Sequence, residues 1–198
     1  YTGYGDDTVS VLGFVSASTI YGGTGNDVIA ITSVAAGVFD LGAGDNVITA
    51  LGVTSSSVQG GSGNDSIAVG AAGLLASSLG AGSGADTISV AGNVSLSTVL
   101  AGSGNDYVVL AAATASSLQG SAGNDAVLIT GNGVNVSIGG GEGDDYASIG
   151  GTLSGGQVLG GSGADTILLA ALSGGGSVYG GTSGNIDDAA NLISVGTI

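Results

Sequence analysis

A glycine–aspartate loop returns about every twenty residues along this chain, and no other feature of the sequence restricts the fold as much. The loop Gly22-Gly23-Thr24-Gly25-Asn26-Asp27 recurs as Gly60-Gly61-Ser62-Gly63-Asn64-Asp65, then as Gly82-Ser83-Gly84-Ala85-Asp86 and Gly102-Ser103-Gly104-Asn105-Asp106. Looser copies end at Asp7, Asp125, Asp145 and Asp165, and one degraded copy ends Gly44-Asp45-Asn46. Successive loop ends from 7 to 165 lie 20, 19, 19, 21, 20, 19, 20 and 20 residues apart. The last copy, from Gly180, is irregular: Asp187 and Asp188 fall in an insertion and Asn191 takes the final position. A fixed period of this length marks a stack of supersecondary units, none of which buries its apolar face alone.

The residues between the loops say what is stacked. The second residue after each loop end is Val9, Ile29, Ile48, Ile67, Ile88, Val108, Val127, Ala147 or Ile167, and the fourth is equally aliphatic, from Val11 to Leu169. Apolar residues two apart mark a strand with one buried face. A further column, from Ile20 and Phe39 to Val178, stands just before the loops and belongs to a second strand. Turns are expected between them, at stretches such as Ala91-Gly92-Asn93-Val94 and Ala111-Ala112-Ala113-Thr114. Helix is disfavoured, because Gly interrupts every window and the apolar period is two. The expected fold is all-β: a single-stranded, right-handed parallel β-solenoid, β-roll-like, of about ten coils with two short strands each. Residues 1–198 form one array. Both ends fall inside the repeat, which predicts a segment of a longer array or a subunit that stacks head to tail.

Composition narrows the function. Among 198 residues there are fifteen acids and no Lys, Arg or His, so no side-chain salt bridge can form and self-repulsion must be met by cations, solvent or another molecule. Nothing can neutralise phosphates, which excludes nucleic acid and anionic membrane surfaces as partners. No apolar run approaches the roughly 18 residues of a spanning helix. Without His, Cys or Lys no nucleophile–base pair can be assembled, so the chain is expected not to be an enzyme.

The loops point to a metal. Asp7, Asp27, Asp65, Asp86, Asp106, Asp125, Asp145 and Asp165 would stand in one file at a single edge, with Asp45, Asn46, Asp187 and Asp188 as further candidates. Neighbouring carboxylates ~5 Å apart repel by ~3 kcal/mol at an effective dielectric of 20. The loop glycines Gly23, Gly25, Gly61, Gly63, Gly82, Gly84, Gly102, Gly104, Gly161 and Gly163 permit conformations that turn carbonyls inward. Calcium takes six to eight hard oxygens in adaptable geometry; magnesium is stricter, and the thiolate and imidazole ligands of zinc or copper are missing. One ion between each pair of loops gives about eight or nine Ca2+.

The stretches 22–30, 60–68 and 160–168 match the G-G-x-G-x-D-x-U-x nonapeptide, and the chain resembles the RTX calcium-binding repeat proteins over nearly its whole length. That resemblance implies a parallel β-roll with ions held between successive loops. It also implies export by a bacterial type I pathway to the cell surface or the medium. RTX rolls carry the nonapeptide on both edges of a coil, whereas here one edge carries it, which is closer to the surface-layer and adhesin types. The expected function is therefore an extracellular structural module, of a surface layer, adhesin stalk or filament, that self-associates. The alternatives are the calcium-folding tail of a secreted enzyme and an ice-binding adhesin segment. Against the latter, the third loop position holds only two threonines, Thr24 and Thr182.

Overall fold

A computed structural model describes residues 3–181 and 192–196. They form a β-solenoid of nine coils containing strands and no helix, every strand pairing being parallel. In the first six coils a long strand is followed by a short one, whereas the seventh has Ala126–Ile129 before Gly133–Glu142 and the eighth is the single strand Tyr146–Ser162. The first five coils show this as Thr8–Ser16 with Thr19–Thr24, Val28–Ala35 with Val38–Ala43, Val47–Thr54 with Ser57–Ser62, Ser66–Leu75 with Ser78–Ser83, and Thr87–Ser95 with Thr98–Ser103. Pairing follows the repeat: Val9 faces Ile29, Ile29 faces Ile48, and Ile20 faces Phe39. The tenth expected coil is entered by Leu192–Val195, which pairs with Thr166–Leu169, whereas Asp187, Asp188 and Asn191 lie outside the described residues.

The predicted apolar columns make the core. Ile29, Ile48, Ile67, Ile88 and Ile167 are buried, as are Phe39, Val58, Leu79, Val99, Leu118, Ile138 and Val158. Only the members at the ends of the stack, such as Val9, Val11, Ile20 and Val178, are partly open. A third inward column, Val15, Val34, Val53, Leu74, Val94, Ala113 and Leu153, was not expected from the sequence.

That third column exists because the turn is not where the sequence put it. The stretches 91–94 and 111–114 remain within their strands, with a register shift such as the one between Val90 and Asn93, and keep pairing with their neighbours. The chain reverses instead at Ala17, Ala36, Ser55, Ala76, Leu96 and Ala115, each in the left-handed region with φ between 46° and 53°. A non-glycine residue there costs about 1–2 kcal/mol, and in these six coils no glycine marks the corner; the same position is Asn135, Gly155 and Gly174 in the coils that follow.

The outer faces differ. On the long-strand sheet the exposed columns carry Val, Ala, Leu, Ser, Thr and Tyr and no charged residue. The short-strand sheet shows Ser, Thr and Gln together with exposed Tyr21, Val38, Leu100 and Tyr179, and Asp40 is its one acid among the described residues. Every other described acid stands at the loop edge.

Candidate metal centre

Eight of the nine described loops end in Asp, and these side chains form a continuous ladder up the inside of the loop edge. The amide N–H of each loop-end residue donates to Oδ1 of the loop-end residue in the next coil. Asp7 donates to Asp27 at 2.9 Å, Asp27 to Asn46 at 2.9 Å and Asn46 to Asp65 at 2.8 Å. The file continues through Asp86, Asp106, Asp125 and Asp145 to Asp165 with bonds of 2.6–3.0 Å. From Asp27 to Asp165 these residues are at most 4% exposed.

The ladder uses one carboxylate oxygen and leaves the other. Oδ2 of Asp7, Asp27, Asp65, Asp86, Asp106, Asp125 and Asp145 is buried with no hydrogen-bond partner. Its surroundings are other oxygens. A Cβ placed on Gly22 would collide with both Asp27 Oδ2 and the Leu41 carbonyl oxygen of the next coil. The same pair recurs at Gly60 with Asp65 and Ala81, and at Gly140 with Asp145 and Gly160. Each such space between two coils is an acceptor-lined cell that a methyl group would fill. In the coils of Asp86 and Asp106 that position is held by Ala81 and Ala101, so those cells are smaller.

Asn46 shows what such a cell needs. Its Oδ1 keeps the ladder, while its Nδ2 donates to the carbonyls of Gly44 at 2.9 Å and of Gly60, in the next coil, at 3.4 Å. An amide N–H₂ therefore closes a cell in which an aspartate presents only a further acceptor. A buried acceptor with no donor costs about 1–3 kcal/mol, and more when charged. Seven copies of that cost in one file call for a positive charge or a proton.

An outer ladder on the same loops supplies the contrast. Asp6 Oδ1 accepts the Asn26 N–H at 2.7 Å, Asn26 that of Asp45 at 2.8 Å, and Asp45 that of Asn64 at 2.7 Å. Farther along, Asn105, Asn124 and Asp144 accept from 124, 144 and 164. These residues are exposed, and Asn and Asp alternate freely, since either accepts an N–H. In the buried inner file Asp persists although burial penalises its charge. Accepting an N–H does not explain that.

The electrostatics follow from burial. Desolvation, more than any neighbour, lifts the carboxyls of Asp65 and Asp106 from 3.8 to about 6 and that of Asp145 to about 7. The adjacent carboxylates of the file push in the same direction, and the ladder N–H bonds oppose it. Burial raises Asp86 and Asp125 as well.

Of the residues singled out in the sequence, the eight loop-end aspartates stand together in one column, and Asp45 falls in the outer ladder beside Asn46. Gly25, Gly63, Gly84, Gly104 and Gly163 occupy the position of Gly44, whose carbonyl faces the cell. The carbonyls of Gly23, Gly61 and Gly82 lie against the glycine of the following coil, as those of Gly25, Gly63 and Gly84 also do. Gly102 and Gly161 share that loop position and its positive φ, of 122° and 119°. Sequence reasoning missed the carbonyls at Leu41, Gly60, Ala81, Gly140 and Gly160, because an oxygen contributed by the next coil leaves no mark on residue type. No three carboxylates converge among the described residues, so a cation here would be held by one carboxylate per cell and by backbone oxygen. Comparison with known proteins finds no family model, no curated sequence and no solved structure that matches the chain.

Proposed function

We propose that this chain is an extracellular structural module, of the kind that builds a surface layer, adhesin stalk or filament, whose coils are locked together by a file of calcium ions along the loop edge. The observation that carries the reading is the contrast at Asn46. One amide donates to two carbonyls, in a coil where Leu41 stands in place of Gly22 or Gly60, while seven aspartates from Asp7 to Asp145 keep a buried oxygen without a partner. A hard cation supplies the missing positive partner, and hard oxygen donors suit calcium. Each cell lies between two coils, so an ion there ties neighbours directly, and folding and binding become one process.

The array suits a mechanical role. Long-range parallel pairing repeats without interruption through the nine coils, giving a rod about 40 Å long at ~4.8 Å per coil. All its described acids but Asp40 face one edge, where bound ions offset their repulsion. Stacking through open sheet ends would extend the same rod, and the RTX resemblance agrees with folding outside the cell, where calcium is abundant.

The test is a calcium titration of metal-free protein at pH 7.5, followed by far-UV circular dichroism and thermal melting, with bound ions counted by elemental analysis. The β-signal and the melting temperature should rise together with calcium and fall in excess chelator. Each bound ion should correspond to an Asp-ended loop. A chain that melts identically in calcium and in chelator would overturn the reading.

A further inference from the structure

The long-strand face is the surface a second copy of this chain should occupy. Its exposed columns run through all nine coils without a charge, although the chain carries a net charge of −15. Val28, Val47, Leu51 and Tyr107 are exposed there, with Val109 and Leu128 half-buried beside them. Uncharged, partly apolar surface of this extent on a highly charged protein marks an interaction site.

Three observations choose the occupant. The first is charge. A basic partner would be drawn to the acidic loop edge rather than to a neutral face, and two copies of this chain repel each other everywhere except where both are neutral. Face-to-face contact keeps the carboxylate edges at the rim.

The second is shape. The middle of the face is a shallow trough lined by Thr49, Leu51, Ala68, Gly70, Ser89 and Ala91. Beyond it the side chains grow again, at Tyr107, Val109 and Leu128. A two-fold axis between trough and ridge would seat each copy's ridge in the other's trough, the self-complementary arrangement an isologous dimer requires. Both copies have the same coil spacing, so the rows of side chains stay in step along the contact.

The third is area. Eight coil spacings of ~4.8 Å by five strand residues of ~3.3 Å give about 600 Å² per copy and about 1,200 Å² in the pair, the lower bound of a specific stable interface.

We propose that copies of this solenoid associate side by side through the long-strand face, in a contact distinct from any end-to-end stacking. The experiment is sedimentation velocity from about 1 to about 100 µM in calcium, a range that brackets micromolar affinity. The variants are Ala68→Glu with Ser89→Glu in the trough, and Gln59→Glu with Gln119→Glu on the opposite face as the control. Melting curves in calcium accompany each variant, so that loss of fold is not read as loss of contact. The native chain should form dimers that the trough variant abolishes, with the fold intact, and that the control variant keeps. Mixing Ser89→Lys with Ser89→Glu protein should restore association at least tenfold over the Glu variant alone. A native chain that stays monomeric, or association that survives the trough substitutions, would overturn the proposal, and the second result would point to end stacking.

Discussion

The two edges of the solenoid meet the same requirement with different chemistry. At the loop reversals, and at the four corner reversals from Gly37 to Ser97, an amide N–H faces the next coil and a side-chain oxygen from that coil accepts it. At the loop edge the acceptor is Asp Oδ1; at the opposite corner it is Ser Oγ. Gly37 donates to Ser56, Ser56 to Ser77, Ser77 to Ser97 and Ser97 to Ser116, at 3.0–3.2 Å. Each serine then disposes of its own proton. Ser56, Ser77, Ser97 and Ser116 donate to the carbonyl two residues back, at 2.7–2.8 Å. The serine edge is complete in itself. The aspartate edge has the same ladder and one acceptor too many per coil. Held against each other, the two edges separate what folding the coil requires from what is added to it, and the addition is a file of buried carboxylate oxygens that have no donor.

The largest expected effect distinguishes a cation from a proton as the partner of those oxygens. Protons are bound more tightly by the folded chain than by the unfolded one, because burial raises Asp65 and Asp106 to about 6 and Asp145 to about 7 from an ordinary 3.8. A raised carboxyl stabilises the fold below the unfolded value, and that contribution is lost as pH rises through the folded value. Metal-free protein should therefore be most stable near pH 4 and lose its coils between about pH 4 and 7. With calcium bound the slope should reverse, since the ligands must then be deprotonated. Thermal melts across pH 4–8, with and without chelator, check both slopes. Parallel slopes would mean that the aspartate edge behaves like the serine edge and holds no cation.

A smaller effect isolates one cell. Asp106→Asn copies the Asn46 arrangement, replacing the unpaired oxygen by a donor. In chelator it should stabilise the chain by about 3 kcal/mol, the cost of a buried charged acceptor without a partner. In calcium it should bind one ion fewer and lose stability. Asn46→Asp should do the reverse, destabilising the metal-free chain and adding one ion. Urea midpoints and ion counts for both variants give a crossed pattern, whereas substitutions at a purely structural position would move stability in the same direction under both conditions.

The loop edge was legible in the sequence to an unusual degree, and the corner was not, for a physical reason. Loops such as 60–65 need glycine where φ is positive, as at Gly61 and Gly63, and a Cβ on Gly61 would strike the Gly42 carbonyl. Like the inward columns, that requirement prints itself on residue type in every described coil but one, where Ser121 holds the position of Gly61 at φ 94°. Through the first six coils the corner is built from Ala, Ser or Leu held left-handed by hydrogen bonds between coils, as Leu96 is, and such residues look like any others; only Asn135, Gly155 and Gly174 mark it in the last three. Serine at 56, 77, 97 and 116 does recur one position after the corner, a periodicity present in the sequence but lacking glycine, charge or apolar character to draw notice. The cells themselves were half legible. Their carboxylates could be aligned by spacing, but the carbonyls that face them belong to the neighbouring coil and follow from register alone.

The smallest effect tests whether the corner is as self-contained as its hydrogen bonds imply. Ser97→Ala removes the acceptor of the Ser77 N–H and leaves that buried donor unpaired. It also releases the Ser95 carbonyl. The expected loss is about 1–2 kcal/mol, the ordinary cost of an orphaned backbone donor. The sign and size should be the same at every calcium concentration that keeps the chain folded, because no charge and no cation cell is touched. Urea unfolding at two calcium concentrations measures this directly. A loss that grew with calcium would mean that the two edges are coupled across the thin core, and that the cation file stiffens the whole coil rather than one side of it.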